Sequence, residues 1–378
     1  MTTNRRILKS VFPGKYFQGE GLIADIPELI KSFGKKGLII SSRTAKKIIL
    51  SDNLKKFTGN DIYLEEFNGE CCENEIKRLY DIVTGNNINV VAGVGGGKAI
   101  DTAKIVADRA GVPVIIVPTI ASTDAPCSGC AVIYSDNGVF ESVYYQKMNP
   151  QAVVVDMNVI AQAPVRFLIA GMGDALATWF EARSCERSQS MNECGGYSTM
   201  TGLNLAKLCY DTIISYGAAA KMACENKIIT EALNRVVEAN ILLSGIGFES
   251  SGLATAHSIH NGLSALEETH SFYHGEKVAF GVLAGLHLTD ALPSEIDTVY
   301  SFCEEIGLPT TFAEIGINNT DRSRLMKVAL KAVVPQEGIH HEAVCITPEK
   351  VLYSMIAADA MGKNRKNCNG IGKILKSL

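Results

Sequence analysis

The sequence predicts an α/β N-terminal domain built on a parallel sheet, followed by an all-α C-terminal domain. Three observations predict it. Short β-type runs alternate with helix-type segments up to about residue 160, helical periodicity takes over after that point, and a glycine cluster lies between a strand and a helix.

The strand runs are Lys36–Ser41, Asp61–Glu65, Asn87–Ala92, Val112–Val117 and Ala152–Asp156, all short and most of them rich in Val or Ile. Amphipathic stretches at Asn74–Thr84 and Lys98–Ala110 separate them, as crossover helices would between parallel strands. Tyr134–Ser142 carries an Asp136-Asn137-Gly138 turn and reads as a hairpin inserted in that sheet. Helical periodicity then runs through Gly173–Cys185, Ser198–Tyr216, Ile228–Leu243, Ala254–Leu266, Glu276–Leu288, Ile296–Ile306 and Pro348–Ala360, with no convincing strand among them. The domains are therefore expected at 1–162 and 163–378. The basic tail from Gly362 reads as a loosely held terminus.

Composition narrows the function classes. The 378 residues carry 36 Lys and Arg against 40 Asp and Glu, a net charge of −4 that offers no general attraction to nucleic acid or an anionic membrane. With 47% hydrophobic and 20% charged residues the chain can fill a core. Its 11 cysteines are odd in number and follow no framework spacing, so most read as reduced core residues, and the Cys127–Cys130 pair, with no second pair beside it, does not read as a redox or zinc motif. The N-terminal stretch lacks the apolar core of a secretory signal and no apolar run is long enough for a membrane span, so a cytoplasmic protein is expected.

The first chemical signal is Gly93-Val94-Gly95-Gly96-Gly97-Lys98, directly after the Asn89–Ala92 strand run and opening a helix. Glycines let an anion approach the backbone, and the unpaired N–H groups of a helix start point at it, so this junction suits a phosphate. Neither of two familiar patterns fits. The dinucleotide fingerprint requires glycine where Lys98 stands, and the Walker pattern requires Ser or Thr where Ala99 stands. A second segment, Thr119–Ser128, follows a strand, is dense in small hydroxyl residues and contains Asp124; open α/β sheets place ligands at such strand ends. It reads equally well as a plain connecting loop.

The histidines are concentrated: His257, His260, His270, His274 and His287 lie close together, and Asp174 stands among glycines in an apolar segment. One carboxylate with two imidazoles would suit a divalent metal acting as a Lewis acid. Taken singly, Asp174 could as well cap its helix, and each histidine could be a satisfied surface or core group.

Seven stretches together carry a resemblance: GVGGGKAIDTAK (93–104), VPTIASTDAPCS (117–128), VIYSDNGVFES (132–142), GDALATWFEAR (173–183), VEANILLSGIGFES (237–250), AHSIHNGLSAL (256–266) and HGEKVAFG (274–281). They resemble the glycerol dehydrogenases, the zinc-dependent polyol branch of the iron-containing alcohol dehydrogenase superfamily, in order and across most of the chain. The resemblance implies a dehydroquinate synthase-like architecture, in which an α/β nucleotide-binding domain and a helical domain flank the active-site cleft. It implies zinc on Asp174, His257 and His274, with Thr178 at the position where iron-using members carry a further histidine. It places the dinucleotide pyrophosphate on Gly95, Gly96 and Gly97, with Lys98 and Asp101 counted in the same site. Thr119, Ser122, Ser128, Cys130 and Tyr134 match positions on the nicotinamide side, and Asp124 matches the residue that contacts the polyol. His260, one turn beyond His257, is expected either to relay a proton or to pack behind the ligands.

The implied reaction is oxidation of glycerol or a related vicinal diol to the hydroxyketone by hydride transfer to NAD(P), in a homo-oligomer. The family usually places an aspartate on the adenosine ribose, where this chain has Ser42 followed by Arg43. Removing the acid and adding a fork of donors points to relaxed or NADP-leaning preference. The competing readings are a glycerol-1-phosphate dehydrogenase, a dehydroquinate synthase-like lyase, and a non-catalytic nucleotide-binding protein. A phosphorylated substrate would require extra basic residues near the metal, and the segments around Asp124 and Asp174 supply none.

Overall fold

The computed structural model describes residues 6–49 and 61–377. They fall into two compact units. One comprises Val11–Leu168 with Met222–Ile246, the other Met1–Ser10, Ile169–Lys221 and Gly247–Leu378.

The first unit opens with β1 (Tyr16–Gly19), α1 (Ile26–Phe33), β2 (Gly37–Ser41) and β3 (Ile62–Glu66), followed by α2 (Glu73–Gly85), β4 (Val90–Gly95), α3 (Gly97–Ala110) and β5 (Val114–Pro118). It continues through β6 (Cys130–Tyr134), β7 (Phe140–Tyr145), β8 (Ala152–Asp156) and α4 (Met157–Gln162). Six strands make one sheet in the order β1-β8-β5-β4-β2-β3, every pair parallel. Strands β2, β4, β5 and β8 are buried along their whole length, which is why they read as unbroken apolar runs rather than alternating ones. Ile39, Ala92, Ile115 and Val154 join Ile26 and Ile30 of α1 in one core.

From β2 the chain winds outward to β3, then returns to start β4 on the other side of β2 and winds the opposite way through β5 to β8. The reversal between β2 and β4 is a topological switch point, where sheets of this kind bind ligands. Strand β4 ends later than the sequence suggests, because Gly93 and Gly95 pair in register with Ile116 and Pro118. The glycine at 93 is a packing requirement: a Cβ there would lie 2.5 Å from that of Ala103 on α3.

The structure corrects two readings in this unit. The hairpin β6–β7 is present, but it forms its own two-stranded antiparallel sheet and is not inserted in the parallel one. The flanks of β5 are taken by β4 and β8, and β6 is instead tied to α3, where the Asp101 carboxylate accepts the Val132 N–H at 3.0 Å. The sheet also gains an edge strand before Lys36: β1 is only four residues long, too short for a periodicity signal.

The remaining elements are helical: α5 (Val165–Ser188), α6 (Met200–Glu225), α7 (Glu231–Glu238), a π-turn at Ala239–Leu243, α8 (Ser244–Ser251), α9 (Thr255–Leu263), α10 (His274–Leu288), α11 (Pro293–Ile306), α12 (Arg322–Ala332) and α13 (Pro348–Ser377). The tail corrects a third reading, since α13 runs through Gly362 rather than stopping before it. Arg365 bonds Glu304 at 2.8 Å and Lys363 bonds Asp359 at 2.6 Å, and a Cβ on Gly362 would sit 2.1 Å from the Thr310 carbonyl oxygen. Among the described residues no helix is long and apolar enough to cross a membrane.

Candidate metal centre and nucleotide cavity

Asp174 lies in the third turn of α5, far past its start, so helix capping does not explain it. Its side chain is 1% exposed. Glycines bring the other helices to it. Gly275, beside His274, would place a Cβ 1.8 Å from the Ala170 carbonyl oxygen on α5, and Gly173 would place one 2.4 Å from the Gly275 carbonyl oxygen. Helix α10 also meets α9 at a glycine, where a Cβ on Gly281 would lie 2.4 Å from the Ala256 carbonyl oxygen, next to His257. Backbone-to-backbone contact at these points lets short side chains from three helices converge.

They do converge. Asp174 Oδ1 lies 3.1 Å from His274 Nε2 and 3.5 Å from His257 Nε2, and the candidate ligand atoms of the three residues all fall within 4.8 Å of one another. Behind them stands Glu181, 2% exposed, which the sequence reading missed. Its Oε2 is 2.6 Å from His257 Nδ1, while Oε1 accepts the N–H groups of Ala254 at 2.9 Å and His257 at 3.0 Å. The only sequence signal was its spacing, two helical turns from Asp174 on the same face. A carboxylate behind a ligating imidazole holds the ring and directs its far nitrogen outward.

Electrostatics follow the geometry. Burial alone would push the His257 pKa down, but the negative charges of Glu181 and Asp174 hold it well above the ordinary imidazole value. Burial would raise Asp174, yet His274 and His257 keep it below the usual carboxylate range. His260 is driven well below its ordinary value by burial and by the neighbouring His274, Lys277 and His257. One carboxylate oxygen and two imidazole nitrogens are a donor set that fits a divalent cation such as zinc. Thr178, one turn after Asp174, is buried and offers a hydroxyl there rather than an imidazole.

The other candidate site lies in the α/β unit. A cavity of about 820 Å³ is lined by Ser42, Gly96 and Thr119, with Asp156, Asn158 and the apolar Phe167 among its walls. It sits at the ends of β2, β4, β5 and β8, on the switch point. Gly97 opens α3, and a Cβ on it would meet nothing within 4 Å, so the helix start has room above it. Gly95 is tightly packed, since a Cβ there would lie 2.9 Å from that of Ala99. Asp156 was missed as a site residue. Its carboxylate collects the N–H groups of Gly21 at 3.1 Å, Ile23 at 2.9 Å and Asn158 at 3.0 Å, shaping the rim.

Several residues expected around the cofactor have partners within the protein. Lys98 bonds Glu70 at 2.6 Å and lies over the Tyr134 ring at 4.8 Å. Asp101 is engaged with Val132. Ser128 and Cys130 gather round the fully buried Lys104, whose ammonium donates to the carbonyl oxygens of Ala125 and Cys130 at 2.5 and 2.7 Å. None of these lines the cavity, and neither does Ser122. Asp124 is steadied by Ser244, whose hydroxyl donates to Oδ2 at 2.9 Å. Arg43 Nε bonds Glu66 at 2.9 Å, with Lys46 on the other carboxylate oxygen at 3.3 Å.

Comparison with known proteins adds the following. Residues 13–157 match the family described as iron-containing alcohol dehydrogenase. The chain is 50% identical over 362 residues to a glycerol dehydrogenase of Thermotoga maritima, covering 96% of this chain and 99% of that protein. Its fold is similar to that of a probable glycerol dehydrogenase from Sinorhizobium meliloti, with a TM-score of 0.89, 42% identity and coverage of 95% and 100%. It is also similar to the glycerol dehydrogenase of Schizosaccharomyces pombe, with a TM-score of 0.91, 34% identity and coverage of 97% and 94%.

Proposed function

The chain belongs to the iron-containing alcohol dehydrogenase family, and from that membership we propose that it oxidises glycerol or a related vicinal diol, using NAD(P) and a zinc ion held by Asp174, His257 and His274. The observation that carries the reading is the convergence of one carboxylate oxygen and two imidazole nitrogens within 4.8 Å. A divalent cation there supplies a Lewis acid that lowers the pKa of a substrate hydroxyl. The nicotinamide supplies the hydride acceptor.

The protein's own residues do the rest. Glu181 orients His257 and keeps its Nε2 turned toward Asp174. Asp124, fixed by Ser244, is assigned to a neighbouring substrate hydroxyl, which favours vicinal diols over simple alcohols. Gly95, Gly96 and Gly97 with the start of α3 are assigned to the pyrophosphate, and Ser42 and Thr119 to the rest of the dinucleotide. Ser122 is assigned to the nicotinamide side. Lys98, Asp101, Ser128, Cys130 and Tyr134 are assigned to the cofactor site with them, and the bonds of Lys98 to Glu70, Asp101 to Val132 and Ser128 to Lys104 hold the surrounding loops. The division at residue 162 into dinucleotide and metal-binding halves belongs to the same proposal, as does a cytoplasmic homo-oligomer.

Relaxed cofactor choice is supported by Ser42, which puts no carboxylate at that position, while Arg43 and Lys46 are held by Glu66. The test of the whole reading is NAD(P)-linked oxidation of glycerol before and after chelation. Activity should vanish with the metal and return with added zinc; undiminished turnover by stripped enzyme would overturn it.

A further inference from the structure

We propose that Glu337, acting through Asn261 and His260, fixes the proton of His274 on Nδ1 and thereby keeps Nε2 available as a ligand. The inference rests on the reading of Asp174, His257 and His274 as a metal site and adds a positioning chain to it.

The chain is continuous. Both carboxylate oxygens of Glu337 lie 3.1 Å from Asn261 Nδ2. Asn261 Oδ1 lies 3.1 Å from His260 Nδ1, and His260 Nε2 lies 3.1 Å from His274 Nδ1. His274 Nε2 faces Asp174.

Each link has a forced direction. A carboxylate only accepts, so Asn261 must turn its NH₂ toward Glu337 and its oxygen toward His260. An amide oxygen only accepts, so His260 carries its proton on Nδ1. With a single ring proton, placed on Nδ1, His260 then has a bare Nε2 that accepts from His274. His274 must donate from Nδ1, so that when a cation replaces the proton between Nε2 and the Asp174 carboxylate the ring already holds its remaining proton on the far nitrogen.

The opposite polarity is equally well bonded between the rings themselves. If His260 carried its proton on Nε2, His274 Nδ1 would accept it, and His274 would hold its own proton on Nε2, where no metal could bind. Nothing in the pair of imidazoles chooses between these states. Glu337 chooses, from a sequence position remote from every ligand. His257 reaches the same end with a carboxylate in direct contact, so the two imidazoles of the site are polarised from opposite sides by Glu181 and Glu337.

Glu337→Gln tests this isosterically, because a glutamine can donate and so lets Asn261 turn over. Zinc affinity of the stripped protein near neutral pH should fall on the order of tenfold to a hundredfold. Nitrogen-15 histidine spectra of the stripped protein should show a proton held on His274 Nδ1 in the wild type and partly lost from Nδ1 in the variant. Glu337→Asp keeps an acceptor-only group and should recover most of the affinity, whereas Asn261→Leu, which breaks the chain, should not. Unchanged zinc affinity together with an unchanged His274 tautomer in Glu337→Gln would overturn the inference. A wild-type protein that binds no zinc would instead overturn the reading of the site, while the tautomer spectra would still decide the polarity of the chain.

Discussion

Gly275 and Ala170 meet backbone to backbone, so closely that a methyl group on the glycine would lie 1.8 Å from the alanine's carbonyl oxygen. This contact places His274 beside Asp174. Gly275→Ala should therefore push α10 off α5, lowering stability by about 3 kcal/mol and abolishing zinc binding together. Denaturant unfolding and zinc titration check it. Gly97→Ala is the contrast, since its Cβ enters open space. It should leave stability within about 0.5 kcal/mol while weakening dinucleotide binding at the start of α3.

The paired shifts of His257 and Asp174 give a pH dependence with a definite sign. Histidine 257 is raised, so in stripped protein its stabilising effect is full below the ordinary imidazole pKa of about 6.5 and is lost as pH rises through the raised value. Asp174 is depressed, so its effect is present above about 3.9 and lost as pH falls through the depressed value. Metal runs the other way on the alkaline side, because it must displace the imidazole proton. Zinc affinity should rise with pH above neutrality while the melting temperature of stripped protein falls. Calorimetry in buffers of different ionisation enthalpy should register proton release on zinc binding.

Lys104 is a buried cation that ties the Ala125–Cys130 loop to α3. Lys104→Ala would leave buried carbonyl oxygens and Asp101 without their cation, at a cost of about 3 kcal/mol. The same loop carries Asp124, so the KM for glycerol should rise more than kcat falls. Steady-state kinetics and a denaturant melt check the two effects separately.

Glu66 neutralises Arg43 and Lys46 just beyond Ser42. Glu66→Gln should free those donors for a 2′-phosphate and raise the ratio of kcat/KM for NADP over NAD about tenfold. A wild-type preference for NAD on the order of a thousandfold would end the case for relaxed cofactor use.

The parallel sheet was legible because β2, β4, β5 and β8 are buried on both faces and leave long apolar runs. The candidate metal ligands were legible as residue types, since histidines that crowd one stretch of a chain need a reason. Their partners were not. Glu181 and Glu337 look like ordinary helix and loop acids until the fold brings Glu181 against His257 and Glu337 against Asn261. The protein partners of Lys98 and Asp101 were also hidden: a strand-to-helix loop marks where an anion can sit, but tertiary packing decides that these two side chains also meet Glu70 and the hairpin. β1 was missed because four residues carry almost no periodicity, and the continuation of α13 because a glycine in a basic segment reads as an end.

The most direct test of the central claim is zinc titration of the stripped protein, wild type against Asp174→Asn, read by calorimetry. Asparagine keeps the shape of the carboxylate and removes its charge. The account predicts a single tight site in the wild type and its loss in the variant, with glycerol oxidation following the occupancy of that site. Equal zinc binding by both proteins, or turnover independent of occupancy, would contradict it.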